Sequence, residues 1–97
     1  MKNKNLLVVG GLIVKSNKIL ICQRSSNNEH PLKWEFPGGK VEKLEEPVQA
    51  LKRELKEEIK ITIQHPTYLC DYTFEYQDLD KKVKILFFLI TDYLGDI

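Results

Sequence analysis

One uninterrupted helical segment among strand-like segments most constrains the fold of this 97-residue chain. Residues 47 to about 59 are rich in Gln, Ala, Leu, Lys, Arg and Glu, with no Gly and no Pro beyond Pro47. Pro47 suits the first turn of a helix, where its missing N–H costs nothing. At about 100° per residue, one apolar stripe faces the core. Its members are Val48, Leu51, Leu55 and Ile59.

Strand-like segments surround this helix and predict a sheet. Residues 6–15 and 19–24 flank the turn cluster 16–18, a pattern typical of a β-hairpin. Further strands are predicted at residues 34–36, 61–63, 68–76 and 83–91. The last of these is the most hydrophobic and is expected at the centre of the sheet. Pro37-Gly38-Gly39 is predicted to be a turn.

The order of these segments predicts a mixed α/β fold, with residues 1–97 forming a single domain. One short helix cannot cover both faces of such a sheet, so we expect one face to be undercovered. A chain of this length can bury a core without disulfides or a structural metal. Cys22 and Cys70 lie in apolar, strand-like surroundings, so we expect buried, unpaired thiols in a reducing cytoplasm.

Charge and hydropathy argue against two classes of partner. Fifteen Lys and Arg residues against fourteen Asp and Glu residues give a formal net charge of +1, which argues against a general nucleic-acid binder. No apolar run approaches the ~20 residues that span a bilayer. Residues 6–14 lead straight into alternating strand sequence without a cleavage site, which argues against a signal peptide.

A cluster of carboxylates on one sector of the helix is the main candidate for chemistry. Glu54, Glu57 and Glu58 are spaced i, i+3 and i+4, where like charges cost about 0.2–0.5 kcal/mol per pair. Two of them lie toward the helix C-terminus, which disfavours anions. A divalent cation would account for the cluster, and oxygen-only ligands favour Mg²⁺ or Mn²⁺. A solvated, charge-laced helix is the alternative. Arg53 can pair with Glu57 at i+4.

The spacing around this cluster resembles the Nudix box, G-x5-E-x7-R-E-U-x-E-E-x-G-U, in which U is a bulky aliphatic residue. Eight of its nine positions match, at Gly39, Glu45, Arg53, Glu54, Leu55, Glu57, Glu58 and Ile61. Residues 34–40 (WEFPGGK) are similar to the MutT-type branch, whose members remove oxidised nucleotides such as 8-oxo-dGTP. The resemblance extends from about residue 7 to residue 94.

This resemblance implies a Nudix-type mixed sheet with the loop and helix of the box packed on one face. It also implies Mg²⁺-dependent hydrolysis of nucleoside triphosphates to a nucleoside monophosphate and pyrophosphate, with Mn²⁺ as an alternative ion. The implied metal ligands are Glu54, Glu57, Glu58 and the carbonyl of Gly38. Among these, Glu54 is our choice of base for the attacking water.

The resemblance also implies supporting and substrate-binding roles. Glu45 and Arg53 would brace the loop and the helix, with Arg53 counted among the catalytic residues, and Gly39 would be structural. The implied nucleotide-binding residues are Arg24, placed against phosphate, and Glu35, Phe36, Pro37 and Gly38, placed beside the nucleotide.

The chain departs from the family pattern at three places. Lys60 replaces the final Gly of the box, after the helix end, where a positive φ would cost Lys about 1 kcal/mol. Leu44 stands where MutT-type sequences usually have Gly. MutT-like chains continue beyond a strand such as residues 83–93 to a C-terminal helix, which we expect to be missing here because the chain ends at Ile97. We therefore expect incomplete base recognition and weakened or absent turnover.

Two alternatives to an active hydrolase stay open. The first is a Nudix-derived module that binds nucleotide without turning it over. The second is a self-associating fragment, in which residues 83–90 and their sheet pack against another copy. The expected partners are a small-molecule nucleotide and, through the uncovered sheet face, a second copy, with no nucleic-acid polymer and no membrane.

Overall fold

The computed structural model describes residues 4–23, 34–76, 78 and 80–96. The elements within these residues are, in chain order, β1 (Lys4–Lys15), β2 (Lys18–Ile19), β3 (Cys22–Gln23), β4 (Trp34–Glu35), β5 (Gly38–Lys40), α1 (Pro47–Ile59), β6 (Thr62–Gln64), β7 (Thr67–Tyr76), β8 (Lys81–Ile90) and β9 (Asp92–Leu94). Helix α1 has the predicted bounds. The backbone N–H of Glu46 donates to the side-chain oxygen of Gln49 at 2.9 Å, which satisfies one donor at the start of the helix.

A five-stranded mixed sheet forms the centre of the fold. Strands β2, β1, β8 and β7 lie side by side in that order, and β5 pairs with β1. Strand β1 is parallel to β8 and antiparallel to β2 and β5. The hydrophobic strand β8 therefore lies inside the sheet, as predicted. Two smaller sheets pair β3 with β4 and β6 with β9.

The predicted hairpin is confirmed, although its second strand is interrupted. Val14 pairs with Ile19 and Lys15 with Lys18 across a two-residue turn. Both turn residues, Ser16 and Asn17, have positive φ angles of 54° and 63°, as a tight hairpin turn of this kind requires. The predicted strand at residues 19–24 is divided between β2 and β3.

The prediction of a turn at Pro37-Gly38-Gly39 is wrong for the two glycines. Gly38 and Gly39 belong to β5, which pairs antiparallel with β1 so that Gly38 lies opposite Gly10. A Cβ atom on Gly38 would lie 2.0 Å from the carbonyl oxygen of Val9. These glycines thus serve a close approach of two strands, which short sequence signals cannot distinguish from a turn.

Helix α1 covers one face of the sheet and completes the core. The fully buried side chains there include Leu51 and Leu55 of the helix and Ile13 and Ile90 of the strands. Val48 and Ile59 are partly buried against them, which confirms the predicted apolar stripe. Ala50, outside that stripe, is also buried.

No described helix covers the opposite face of the sheet, as predicted. Strand pairing places Val8 beside Ile85, Gly10 beside Phe87 and Tyr72 beside Ile85, so these residues share that face. Every residue of β7 is exposed. Helix α1, the one helix of the described residues, is not long and apolar enough to cross a membrane.

One further expectation is corrected at the periphery, and one strand there was not predicted. Cys70 is exposed because it lies on β7, at the edge of the sheet, whereas Cys22 is half-buried. Strand β9 was not predicted; it follows β8 directly and pairs with β6, with Tyr93 opposite Ile63. This pairing is long-range in sequence, so local patterns do not indicate it.

Candidate active site

A bidentate ion pair joins the loop before the helix to the helix itself. Arg53 donates to Glu45 through Nε at 2.8 Å and through Nη2 at 3.0 Å. The backbone N–H of Glu42 donates to the same carboxylate at 3.0 Å, and Arg53 Nη2 donates to the carbonyl of Lys40 at 3.1 Å. The loop is therefore tied to α1 by charge-assisted hydrogen bonds.

The electrostatics of this pair follow from its geometry. The hydrogen bond from Arg53 and, to a lesser degree, the bond from the Glu42 backbone lower the pKa of Glu45 from 4.5 to about 2. Glu45 in turn raises the pKa of Arg53 further above its ordinary value. Both side chains thus stay charged throughout the neutral range.

Arg53 also contacts two of the predicted metal ligands. Its Nη1 donates to Glu54 Oε2 at 3.0 Å and, more weakly, to Glu57 Oε1 at 3.4 Å. The pair with Glu57 is the predicted i, i+4 interaction. The contact with Glu54 was not predicted, because adjacent residues point in different directions on a helix.

Strand β5 packs against the carboxylate of Glu54 at Gly39. A Cβ atom on Gly39 would lie 2.4 to 2.6 Å from the carboxyl carbon and both carboxylate oxygens of Glu54. Only a glycine leaves room for the carboxylate in this position. The side chain of Glu54 is accordingly held between β5 and Arg53.

Glu58 and Glu54 form a crowded acidic pair one helical turn apart. Desolvation and then a hydrogen bond and repulsion from Glu54 raise the pKa of Glu58 from 4.5 to about 7, with Glu35 adding to the repulsion. A hydrogen bond from the Gly38 backbone acts in the opposite direction. Two neighbouring carboxylates cannot both ionise without cost, so the pair favours a shared proton or a cation.

The structure brings Glu54, Glu58 and Gly38 together, and Glu57 shares Arg53 Nη1 with Glu54. Glu57 is largely exposed and interacts with Arg53. Within the described part of the chain, no three His, Cys, Asp or Glu side chains are gathered closely enough to hold a metal ion. The predicted ligand trio therefore stands as a crowded pair, with the third carboxylate held on the same guanidinium nitrogen as Glu54.

An apolar cleft of about 540 Å³ lies beside the acidic pair, on the uncovered face of the sheet. It is lined by Val8, Val9, Gly10, Trp34, Glu35, Phe36, Gly38, Gly39, Lys40, Ile85 and Phe87. The rings of Phe36 and Phe87 meet edge to face, with centroids 6.1 Å apart. Since Gly39 borders both the cleft and Glu54, strand β5 connects the cleft to the carboxylates.

The predicted nucleotide-binding residues are distributed unevenly around this cleft. Glu35, Phe36 and Gly38 line it, whereas the side chain of Pro37 is fully buried and its carbonyl accepts a hydrogen bond from the Gly11 N–H at 2.8 Å. Arg24 lies outside the described residues.

Sequence reasoning missed three contributors to the site. Phe87 and Gly10 line the cleft because β8 and β1 are neighbours, a pairing that no local pattern reveals. Cys22 lies opposite Glu35 in the β3–β4 pair. Burial, followed by the charges of Glu58 and Glu35, raises the pKa of the Cys22 thiol.

Comparison with known proteins agrees with this architecture. The family model of the NUDIX domain matches residues 4–97. The chain is 38% identical to an 8-oxo-dGTP diphosphatase of Proteus vulgaris, over the whole chain and 86% of that protein. It is 37% identical to an 8-oxo-dGTP diphosphatase of Escherichia coli, over 96% of this chain and 71% of that protein.

A solved structure shows the same fold. The crystal structure of a MutT NUDIX hydrolase from Burkholderia pseudomallei superposes with a TM-score of 0.88 at 26% identity, covering 97% of this chain and 72% of the other. This chain belongs to the Nudix family and is a Nudix hydrolase.

Proposed function

We propose that this protein hydrolyses nucleoside triphosphates to a nucleoside monophosphate and pyrophosphate, with oxidised purine nucleotides such as 8-oxo-dGTP as its substrates. The observation that carries the proposal is the Glu54–Glu58 pair next to an apolar cleft, separated from it by β5. The names of the relatives, 8-oxo-dGTP diphosphatases, support the choice of substrate. Such an activity would cleanse the cytoplasmic nucleotide pool and protect the fidelity of DNA replication.

The cleft suits a purine base. Its volume of about 540 Å³ lies within the ~300–1,000 Å³ typical of small-molecule sites. Phe36 and Phe87 offer aromatic surface, and Glu35 offers a hydrogen-bond acceptor at the wall. In this proposal the triphosphate points along β5 toward the helix, with Arg24 against phosphate.

The residues around Glu54 fit a hard divalent cation. The available donors are oxygens, and the pKa of Glu58 is raised by desolvation and then by Glu54, whose negative charge a cation would neutralise. We propose that Glu54, Glu58 and the Gly38 carbonyl hold Mg²⁺, joined by Glu57 from its exposed position, with Mn²⁺ able to replace it. When bound, the ion supplies neutralisation of charge on the phosphoryl oxygens.

The remaining steps belong to the side chains. A carboxylate oxygen of Glu54 accepts the proton of the attacking water, whose oxygen bonds to phosphorus as the bridging P–O bond breaks and pyrophosphate departs. Arg53 Nη1 and Gly39 hold Glu54 in place for this role. Glu45 fixes Arg53 through two hydrogen bonds and thereby positions the base indirectly.

A nucleotide-binding module without turnover is the second candidate function. The observation that favours it is that no three acidic, His or Cys side chains of the described residues are gathered closely enough to hold a metal ion, while Glu57 interacts with Arg53. Such a module would show Mg²⁺-dependent nucleotide affinity in calorimetry but release no product on long incubation.

Pyrophosphate release tests the proposal. The protein is incubated with 8-oxo-dGTP, dGTP and other nucleoside triphosphates in the presence of Mg²⁺. We expect preference for the oxidised nucleotide and a loss of turnover on the order of 100-fold or more in Glu54→Gln and Glu58→Gln. The matched control is Glu42→Gln, which should retain activity. It removes an exposed carboxylate that lies 4.0 Å from Arg53. Equal pyrophosphate release from all three variants would contradict the assignment.

A further inference from the structure

Strand β7 presents an open edge of ten residues. Within the described residues, β8 is the only strand that pairs with β7, so the backbone groups on its other side have no strand partner there. Each of its residues is exposed, including the large side chains of Tyr68, Leu69, Tyr72, Phe74 and Tyr76. A long, hydrophobic open edge is a template for pairing with another chain.

This edge has only some of the features that keep edge strands apart, namely the charged residues Asp71 and Glu75 and one irregularity in pairing. Residues 67–76 contain no Pro and no Lys, the residues that most often protect an edge. A single irregularity in pairing lies between Tyr68 and Cys70, near the beginning of the strand. Beyond it, Cys70 to Tyr76 pair regularly with β8, so the outer edge there is continuous.

We propose that β7 pairs antiparallel with β7 of a second copy of this chain, extending the sheet across both molecules. A two-fold axis perpendicular to the sheet keeps the aromatic face of both copies on the same side, because residues directly opposite share a face. The strand side chains on that face are Cys70, Tyr72, Phe74 and Tyr76, as their pairing with β8 shows.

Charge selects the register of this pairing. Centring the dyad on Asp71 places Asp71 opposite itself, and centring it on Thr73 places Asp71 opposite Glu75. Like charges directly opposite one another are destabilising. Centring it on Tyr72 avoids both, because Tyr72 then lies opposite Tyr72, and Asp71 lies opposite Thr73. Registers centred further along the strand shorten the overlap or fall on the irregularity near Leu69.

Sedimentation velocity over a range of protein concentrations tests the proposal. We expect a concentration-dependent dimer, and a dissociation constant about tenfold or more higher for Tyr72→Lys, because two lysines would lie directly opposite. Tyr72 is 59% exposed, so the variant should fold, which circular dichroism verifies. Leu94→Lys, at a similarly exposed leucine (61%) on β9, should dimerise like the natural chain.

Disulfide trapping tests the register in a background of Cys22→Ser and Cys70→Ser. Oxidation should link the Tyr72→Cys variant efficiently, whereas Thr73→Cys, which lies opposite Asp71 of the second copy, should link poorly. Sedimentation as a monomer at every concentration would overturn the proposal. So would equal trapping at both positions, or a dimer that Tyr72→Lys leaves intact, which would indicate contact through the face carrying Ile85 and Phe87.

Discussion

Glu45, in the loop, and Glu58, on the helix, are both glutamates, yet their surroundings shift their pKa values in opposite directions. Two hydrogen bonds from Arg53 lower the pKa of Glu45 to about 2. Desolvation and the neighbouring Glu54 raise the pKa of Glu58 to about 7. The Glu45 carboxylate is therefore neutralised within the protein, while the Glu58 carboxylate is left for a proton or a cation.

The position of one guanidinium accounts for this difference. Arg53 directs Nε and Nη2 to Glu45 and only Nη1 to Glu54, and no described contact joins it to Glu58. The strong ion pair stabilises the loop, and the crowded pair concentrates negative charge where we propose the metal ion binds.

Gly39→Ala, which acts on the Glu54–Glu58 pair, should have the largest effect on turnover. The new Cβ would lie within 2.6 Å of the Glu54 carboxylate, whose flexible end must move, while Glu45 and Arg53 stay paired. Since a misplacement of ~1 Å can cost 100-fold, we expect turnover to fall by about that factor, with little change in melting temperature. Pyrophosphate release and thermal unfolding measure both quantities.

Gly38→Ala is the contrasting variant for this test. Its Cβ would meet the Val9 carbonyl oxygen at 2.0 Å, a backbone atom that cannot move aside, so we expect marked loss of stability. If Gly39→Ala lost stability to the same extent as Gly38→Ala, the role of Gly39 in positioning Glu54 would be refuted.

Glu45→Gln should have the next largest effect on turnover, because it acts on the Glu45–Arg53 ion pair. It removes the charge that holds Arg53, which can then move toward Glu54 and Glu57. Loss of such an orienting partner typically costs about 10–100-fold in activity, and we expect a fall of that size in kcat. Glu42→Gln lies in the same loop and should leave kcat unchanged, which provides the control.

The two carboxylates should give opposite pH dependences of stability in the absence of divalent ions. Glu58 binds its proton more tightly in the folded chain (pKa about 7 against 4.5), so its effect lowers the free energy of unfolding as pH rises from 4.5 to 7. Glu45 has the lowered pKa of about 2, so its stabilisation is present above pH 4.5 and is lost as pH falls toward 2.

Denaturant unfolding as a function of pH measures both effects. Glu58→Gln should abolish the decrease between pH 4.5 and 7 and leave the acid limb intact, whereas Glu45→Gln should do the reverse. A proton on Glu58 competes with the cation. Mg²⁺ affinity should therefore increase by about tenfold for each unit by which the pH rises toward 7. An affinity independent of pH in this window would argue against Glu58 as a ligand.

Leu44→Gly should have the smallest effect and act on stability alone. Leu44 adopts a left-handed conformation with φ of 68° and is 98% exposed, so glycine relieves strain without losing packing. We expect a gain of about 0.5–1 kcal/mol, since the relieved strain is partly offset by the entropy of glycine in the unfolded chain. Lys43→Gly, in the same turn, should not stabilise. Unchanged turnover in Leu44→Gly would show that the Glu45–Arg53 ion pair forms equally well with and without the strain at residue 44.

Helix α1 shows how far local patterns can be read. Its bounds and its buried stripe followed from propensity and periodicity, because both depend on residues within a few turns of one another. The left-handed φ of 61° at Lys60 confirms the conformation expected where the box has its Gly. The glycines of β5 were misread as a turn, since their purpose lies in contact with β1, which is distant in sequence.

The candidate site likewise has features that the sequence predicted and features that it did not. The spacing of Glu54, Glu57 and Glu58 identified acidic residues on one sector of the helix, and the i, i+4 pair of Arg53 with Glu57 was predicted correctly. The contact of Arg53 with Glu54 and the position of Cys22 opposite Glu35 were not predicted. Both depend on side-chain directions and strand pairings that the packed structure imposes.

The sequence by itself determined the helix, the hairpin, the central strand and the family to which the chain belongs, because these depend on short-range periodicity and on the spacing of a few residues. Only the tertiary structure decided which carboxylate is neutralised and which is crowded. That outcome depends on where β5 packs against α1 and on how one guanidinium divides its hydrogen bonds. Electrostatic energies vary steeply with distance and solvent exposure, and neither quantity can be read from residue order.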